Sequence, residues 1–213
     1  MTKPIVVKLG GSCITNKRRP FSLRRGTLRR LCGELKFSPD PVVVVHGGGS
    51  FGHPIARKHL QDLKRGFYAI HQAMLELNSH VVSSLSAAGF KPFSIPPSLF
   101  LQVRGGEVVK TDVKVMKWLL GNGILPVTFG DVVPNGKDAI ILSGDRIASQ
   151  LSLRLHARRA IFCLDVDGLY IREDGEIRLA SEFSPKDVEK LVEMGGGTDV
   201  TGGIKTKVME IMK

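Results

Sequence analysis

The chain of 213 residues carries a formal net charge of +11, is 42% apolar and has a mean hydropathy of +0.04, which fits a soluble core of one substantial α/β domain or two small ones. No apolar run approaches bilayer length and the N-terminus carries no secretory pattern, so no membrane partner is expected. Cys13, Cys32 and Cys163 lie far apart and form no C-x-x-C, as expected of buried or incidental thiols in a reducing cytoplasm.

Ile5–Leu9 opens the chain as an apolar strand-like run that stops at Gly10-Gly11. Basic residues then crowd together: Lys17, Arg18, Arg19, Arg24, Arg25, Arg29 and Arg30. A nucleic-acid patch is one reading, but only Phe21 is interleaved with them. A solvated helix face beside a site for small anions is favoured, and no nucleic-acid partner is expected. Residues 23–35 repeat helically. Val42–His46 is a second β-branched run, stopping at Gly47-Gly48-Gly49. The chain after Gly52 reads as one long basic helical stretch, clearest over 66–88, and a strand follows at 91–95. Pro96-Pro97 begins a loop rather than a new domain, because the apolar pattern resumes at once. Residues 99–103 and 107–110 flank Arg104-Gly105-Gly106 as a small hairpin. A helix at 112–120, strands at 124–129 and 139–142, a helix at 146–155 and a strand at 160–164 complete the readable pattern. This alternation predicts an α/β fold with a mainly parallel sheet covered on both faces.

The most informative features are the two glycine turns. A β-branched run ending at consecutive glycines reads as a buried parallel strand meeting a backbone-exposing turn, and free N–H groups there favour phosphate. Two such turns imply two phosphate groups held face to face. The second contains G-x-G-x-x-G, but the strand and acidic residue of a dinucleotide site do not follow it, so a nicotinamide site is disfavoured. No P-loop motif is present, nor is the H-R-D and D-F-G set of protein kinases. Four further segments fall at strand ends or helix starts, where open α/β sheets bind ligands. They are Gly130-Asp131-Val132-Val133, Ser143-Gly144-Asp145, the 165–170 segment with Asp165, Asp167, Gly168 and Tyr170, and the 199–207 segment.

Together these motifs resemble the amino-acid kinase superfamily and, within it, the archaeal-type isopentenyl phosphate kinases. The resemblance rests on Lys8-Leu9-Gly10-Gly11-Ser12 through Lys17, His46-Gly47-Gly48-Gly49-Ser50-Phe51-Gly52-His53-Pro54, Gly130-Asp131-Val132-Val133, Ser143-Gly144-Asp145 and Thr198-Asp199-Val200-Thr201-Gly202-Gly203. It covers nearly the whole chain. His53 is the more specific mark, shared with the related fosfomycin kinases. The resemblance implies a three-layer α/β/α sandwich and a single domain over 1–213. About 1–130 would bind the acceptor and about 131–213 the nucleotide. It implies transfer of the ATP γ-phosphoryl group to isopentenyl phosphate, with Mg2+ following from ATP chemistry, in a cytoplasmic homodimer.

Residue by residue, it implies that Lys8 and Lys207 neutralise the transferring group, with Lys205 a competitor for the second role. Asp145 would hold these lysines; its Gly-Asp-Arg context also fits a plain helix N-cap, and both could hold at once. Gly10, Gly11, Ser12, Lys17, Ser143, Gly144, Asp165, Asp167, Gly168 and Gly203 would contact ATP. Gly10 and Gly11 would do so through N–H groups, as Gly47, Gly48 and Gly49 would toward the acceptor phosphate. Gly52 and His53 complete that side, His53 as a hydrogen-bonding group. Phe67, Tyr68, Met74 and Leu77 form a stripe that is either ordinary core or the wall of an apolar tail pocket. Two departures stand out. Residues 57–65 look shorter than usual, and the chain stops in the helix after Lys207 where relatives continue, so the end of the nucleotide half is expected to be missing. The rivals are a kinase for another small acid or phosphonate such as fosfomycin, and a non-catalytic nucleotide- or nucleic-acid-binding module.

Overall fold

In the computed structural model, the described residues are 2–192 and 204–212, without the side chains of Lys207, Glu210 and Met212. The elements are β1 (Ile5–Leu9), α1 (Gly11–Ile14), α2 (Arg25–Glu34), β2 (Val42–His46), α3 (Gly49–Lys58), α4 (Leu63–Ala87), β3 (Pro92–Ser94), β4 (Leu101–Arg104), β5 (Glu107–Thr111), α5 (Lys114–Gly121), β6 (Leu125–Phe129), β7 (Asp131–Asn135), β8 (Asp138–Leu142), α6 (Gly144–Arg154), β9 (Arg159–Cys163), β10 (Tyr170–Glu173), β11 (Glu176–Leu179), β12 (Leu191–Val192) and α7 (Ile204–Met212). Among the described residues no helix is long and apolar enough to cross a membrane.

The centre is a five-stranded parallel sheet in the order β3-β6-β2-β1-β9. All five residues of β1 and of β2 are buried, which is why both read as continuous apolar runs. Side chains alternate across the sheet. Ile5, Val7, Leu9, Val42 and Val44 pack with Leu28 and Cys32 of α2 and Leu77, Val81 and Leu85 of α4. Val6, Val43 and Val45 pack on the other face with Met116 and Leu119 of α5 and Ile147 and Leu151 of α6. Those two cores on one sheet are the three layers.

Several differences from the sequence reading have local causes. The stretch after Gly52 is two helices. Asp62 restarts the chain by accepting the Arg65 N–H at 3.0 Å, and a Cβ on Gly66 would sit 2.3 Å from the His59 Cβ, so the two helices cross closely there. The 139–142 run is no part of the parallel sheet. The chain leaves β6 at Gly130 and folds β7 and β8 as an antiparallel hairpin around Gly136, at φ +65°. That hairpin extends the β4–β5 hairpin into a four-stranded sheet in the order β5-β4-β7-β8. A third hairpin, β10–β11, turns at Asp174-Gly175, an Asp-Gly turn signal that the sequence reading passed over.

Leu77 shows no accessible surface and sits wholly within the sheet–α4 core. Leu77→Ala is expected to lower unfolding free energy by about 2–5 kcal/mol, measured by urea denaturation.

Candidate active site

The carboxyl ends of β1 and β2 bring the two glycine turns into backbone contact. A Cβ on Gly11 would lie 2.3 Å from the Gly49 nitrogen, and one on Gly49 would lie 2.1 Å from Thr15 Oγ1. Gly49 also takes φ +48°, a conformation that L side chains avoid. Both positions therefore require glycine for contact, and Gly49 also for its backbone conformation.

Around this contact opens a cavity of about 370 Å³. Of the residues singled out from sequence, Lys8, Gly10, Gly11, Ser12, Lys17, Gly47, Gly48, Gly49, Gly52, His53, Met74, Ser143, Gly144, Asp145, Asp165 and Gly168 line it. Asp167 does not, and instead accepts a hydrogen bond from the Tyr170 hydroxyl at 3.3 Å. The apolar stripe is mostly core. Leu77 is enclosed, Tyr68 is 75% exposed, and Phe67 packs against the small cluster of Ala56, Ile70 and Val132. Only Met74 of that stripe reaches the cavity, joined there by Ala56, Ile70 and Ile141, which the sequence reading did not name. Ile70 sits one helical turn from Met74 on α4, so the i, i+4 spacing could have found it. Gly203 and the Lys207 side chain lie outside the described residues.

Two glycine N–H groups cannot serve as expected. Gly10 N–H donates to the Cys163 carbonyl at 3.0 Å and Gly47 N–H to the Leu9 carbonyl at 3.0 Å. Both stitch the strands together beneath the turns. Gly11 and Ser12 in the first turn of α1 and Gly48 and Gly49 at the start of α3 are different, because N–H groups at a helix start have no acceptor within the helix.

At the floor, Lys8 Nζ and Asp145 Oδ1 lie 2.7 Å apart, with both side chains at most 5% exposed. Asp145 Oδ1 accepts no well-aligned hydrogen bond, so the Lys8 charge is what compensates its burial. The helix-cap alternative for Asp145 gives way here. Ser143 is the N-cap of α6, its hydroxyl accepting the Arg146 N–H at 3.1 Å, and Asp145 is left for Lys8. On the outer side, Asp165 accepts from Ser12 Oγ at 2.7 Å and pairs with Lys17 at 2.9 Å. Burial pushes its carboxyl up, but the bonds from Lys17 and Ser12 outweigh that and hold it below the usual range. Asp131, also on the cavity wall, pairs with His71 at 2.6 Å, and burial raises its pKa against that pairing.

His46 lies buried beneath the second turn, stacked on Phe129. Its ring nitrogens are 3.2 Å from the Gly47 carbonyl and 3.3 Å from Asn78 Oδ1. Burial outweighs both oxygens, and its pKa falls to about 4.

Glycine turns and helix starts meeting a buried Lys–Asp pair in one cavity suit a phosphoryl-transfer enzyme, and comparison with known proteins identifies such a family. The chain matches the amino acid kinase family over residues 3–213 and belongs to it. It is 35% identical to the isopentenyl phosphate kinase of Methanothermobacter thermautotrophicus, over 98% of this chain and 85% of that protein. The enzyme of that name from Methanocaldococcus jannaschii is 31% identical, over 98% of this chain and 86% of its own length. A solved isopentenyl phosphate kinase structure superposes with a TM-score of 0.79 at 33% identity, covering 88% of this chain and 85% of that one.

The His46 environment sets a pH dependence. The folded state favours neutral imidazole, while an unfolded histidine titrates near 6.5, so the unfolded chain binds the extra proton as pH falls. Stability is full above about 6.5 and is lost toward about 4. Moving from pH 7 to 5 is expected to cost about 2 kcal/mol through this residue. The difference between wild type and His46→Gln in urea unfolding at the two pH values isolates it.

Proposed function

We propose that this chain transfers the γ-phosphoryl group of ATP to the phosphate of isopentenyl phosphate, giving isopentenyl diphosphate and ADP. The observation that carries the reading is a single cavity that holds two abutting glycine turns, a buried Lys8–Asp145 pair and a short apolar end. The names of its relatives support the choice of acceptor.

In this reading an acceptor phosphate oxygen attacks the γ-phosphorus of ATP, a P–O bond forms, and the bond to the β-phosphate oxygen breaks to release ADP. Phosphoryl transfer asks mainly for positioning and charge neutralisation. Lys8, held by Asp145, supplies a fixed cation at the floor. Lys17 and the first-turn N–H groups of α1 face the nucleotide. Gly48, Gly49, Gly52 and His53 face the acceptor phosphate, and Met74, Ile70, Ala56 and Ile141 its tail. Lys207 serves as a second cation on the transferring group. The acceptor side, about 1–130, and the nucleotide side, about 131–213, belong to the same proposal.

Mg2+ enters with ATP. Among the described residues no group of three or more acidic, histidine or cysteine side chains could cage a metal, and Asp131, Asp145 and Asp165 each face a basic side chain. The nucleotide phosphates would therefore be the ion's main ligands. A cytoplasmic location fits the free thiols of Cys13, Cys32 and Cys163. A homodimer rests on the resemblance alone.

An ATP-coupled assay with isopentenyl phosphate tests the reading. Lys8→Ala is expected to lower kcat by about 10²–10³, and His53→Ala to lower kcat/KM for the acceptor by about 10–100-fold. A folded wild type that binds ATP but turns over fosfomycin, or another small acid, instead would overturn the choice of acceptor.

A further inference from the structure

Ser50 sits in the acceptor turn, within the first turn of α3, yet every polar atom it has is committed to the segment that follows the other turn. Its N–H donates to Thr15 Oγ1 at 2.9 Å, and that hydroxyl donates to the Gly11 carbonyl at 2.6 Å. Its carbonyl accepts the Phe21 N–H at 3.0 Å. Its hydroxyl accepts the Ser22 N–H and donates to the Ser22 carbonyl, both at 3.2 Å. In a regular helix the Ser50 carbonyl would take the N–H of residue 54, but that residue is Pro54 and has none. The proline therefore frees the carbonyl that Phe21 uses.

The segment so gripped is a loop closed at its base by the Thr15–Leu23 bridge. Ser50 bonds it at Thr15, Phe21 and Ser22, and Lys17 lies between those points. Lys17 then reaches across to Asp165 at 2.9 Å. Phe21 takes φ +52°, a strained conformation for a bulky side chain. It is held there by its bond to Ser50 and by its ring edge against Phe51, with centroids 5.2 Å apart. Such strain persists only where surrounding contacts over-determine the backbone, and here those contacts come from α3.

We propose that Ser50 is a positioning residue that sets Lys17 for the nucleotide phosphates, so that a residue of the acceptor turn governs nucleotide affinity. The inference rests on the nucleotide role of Lys17 given above. Two hydroxyl bonds to Ser22 hold the far side of the loop. Without them the Thr15 and Phe21 backbone bonds remain, but the loop gains freedom and Lys17 must be ordered when nucleotide binds.

The test is calorimetric ATP binding, steady-state kinetics and amide hydrogen exchange on wild type, Ser50→Ala, Lys17→Ala and the double variant. Ser50→Ala should weaken ATP binding about tenfold, raise the KM for ATP more than the KM for the acceptor, and speed exchange across residues 16–22. In the Lys17→Ala background the same change should cost ATP binding nothing further. The proposal is overturned if Ser50→Ala leaves ATP affinity unchanged, or if it costs the same factor without Lys17. It is also overturned if both KM values rise together with a lowered Tm, or if wild type binds no nucleotide. A wild type that binds ATP but ignores isopentenyl phosphate would sink the acceptor assignment while the binding cycle still decides this one.

Discussion

Everything at the site depends on two backbone turns touching. Gly11 and Gly49 approach so closely that neither could carry a side chain, and this contact exists because β1 and β2 are adjacent parallel strands in register, with Leu9 opposite His46. Adjacent parallel strands deliver their carboxyl ends to the same edge of the sheet, so whatever follows them must share space. Glycine lets α1 and α3 begin there almost in contact, with both N-termini at one cavity. α6 adds a third N-terminus, and a Cβ on its Gly144 would lie 2.9 Å from the His46 carbonyl. Three helix starts in one place form an anion-attracting region before any charged side chain is counted.

That arrangement has an electrostatic cost that the sequence offsets in layers. Helix starts repel a bare cation, yet Lys8 lies beneath them almost wholly buried. Asp145, at the start of α6, lies 2.7 Å from it and makes the burial tolerable. Nearer the solvent Asp165 pairs with Lys17, whose side chain is 57% exposed and needs no such compensation. The two pairs differ in kind. The inner one is shielded from water and salt and holds its geometry without a ligand. The outer one is screened, so its lysine can more readily exchange a carboxylate for a phosphate. His46, beneath the second glycine turn, stays neutral near pH 7 because burial lowers its pKa to about 4. It therefore supports the turn through packing and hydrogen bonding without adding a charge that would compete with Lys8.

The sequence made the parallel sheet and its turn motifs legible because both depend on short-range patterns. Ile5–Leu9 and Val42–His46 are buried on both faces and read as unbroken apolar runs, and the consecutive glycines mark their ends. Residues whose role depends on a partner far along the chain were harder to read. Leu77 and Met74 lie on the same helix and look alike in sequence, yet one is sealed in the sheet core and the other reaches the cavity. Helix phase alone could not tell which apolar residues face the sheet and which face the gap beside α3. The N–H groups of Gly10 and Gly47 seemed free for phosphate but are taken by Cys163 and Leu9, a pairing visible only once strand order is known. Ser50 was hidden for the same reason, since its four hydrogen bonds all cross to the loop that follows the first glycine turn.

Met74 shows how closely the polar and apolar ends of the cavity are joined. A Cβ on Gly52 would lie 2.6 Å from the Met74 sulfur, and one on Gly48 would lie 3.2 Å from it. Gly48 and Gly52 of the second glycine turn thus leave room for an α4 side chain directly behind the helix start. Met74 is 2% exposed, so it closes the space with a flexible, polarisable group rather than a rigid one. The chain continues into Ala56 and Ile70, which line the cavity and pack with Val132 at the start of the β7–β8 hairpin. The apolar end is therefore built from two helices and the second sheet, whereas the phosphate end is built from the parallel sheet and the starts of α1, α3 and α6. A ligand that filled both ends would touch every layer of the fold, with its anionic group fixed by backbone and its apolar part met by side chains that can repack. The backbone of the phosphate end is in that sense fixed by the strand order, whereas the apolar end is formed by a few side chains that could be replaced without changing it.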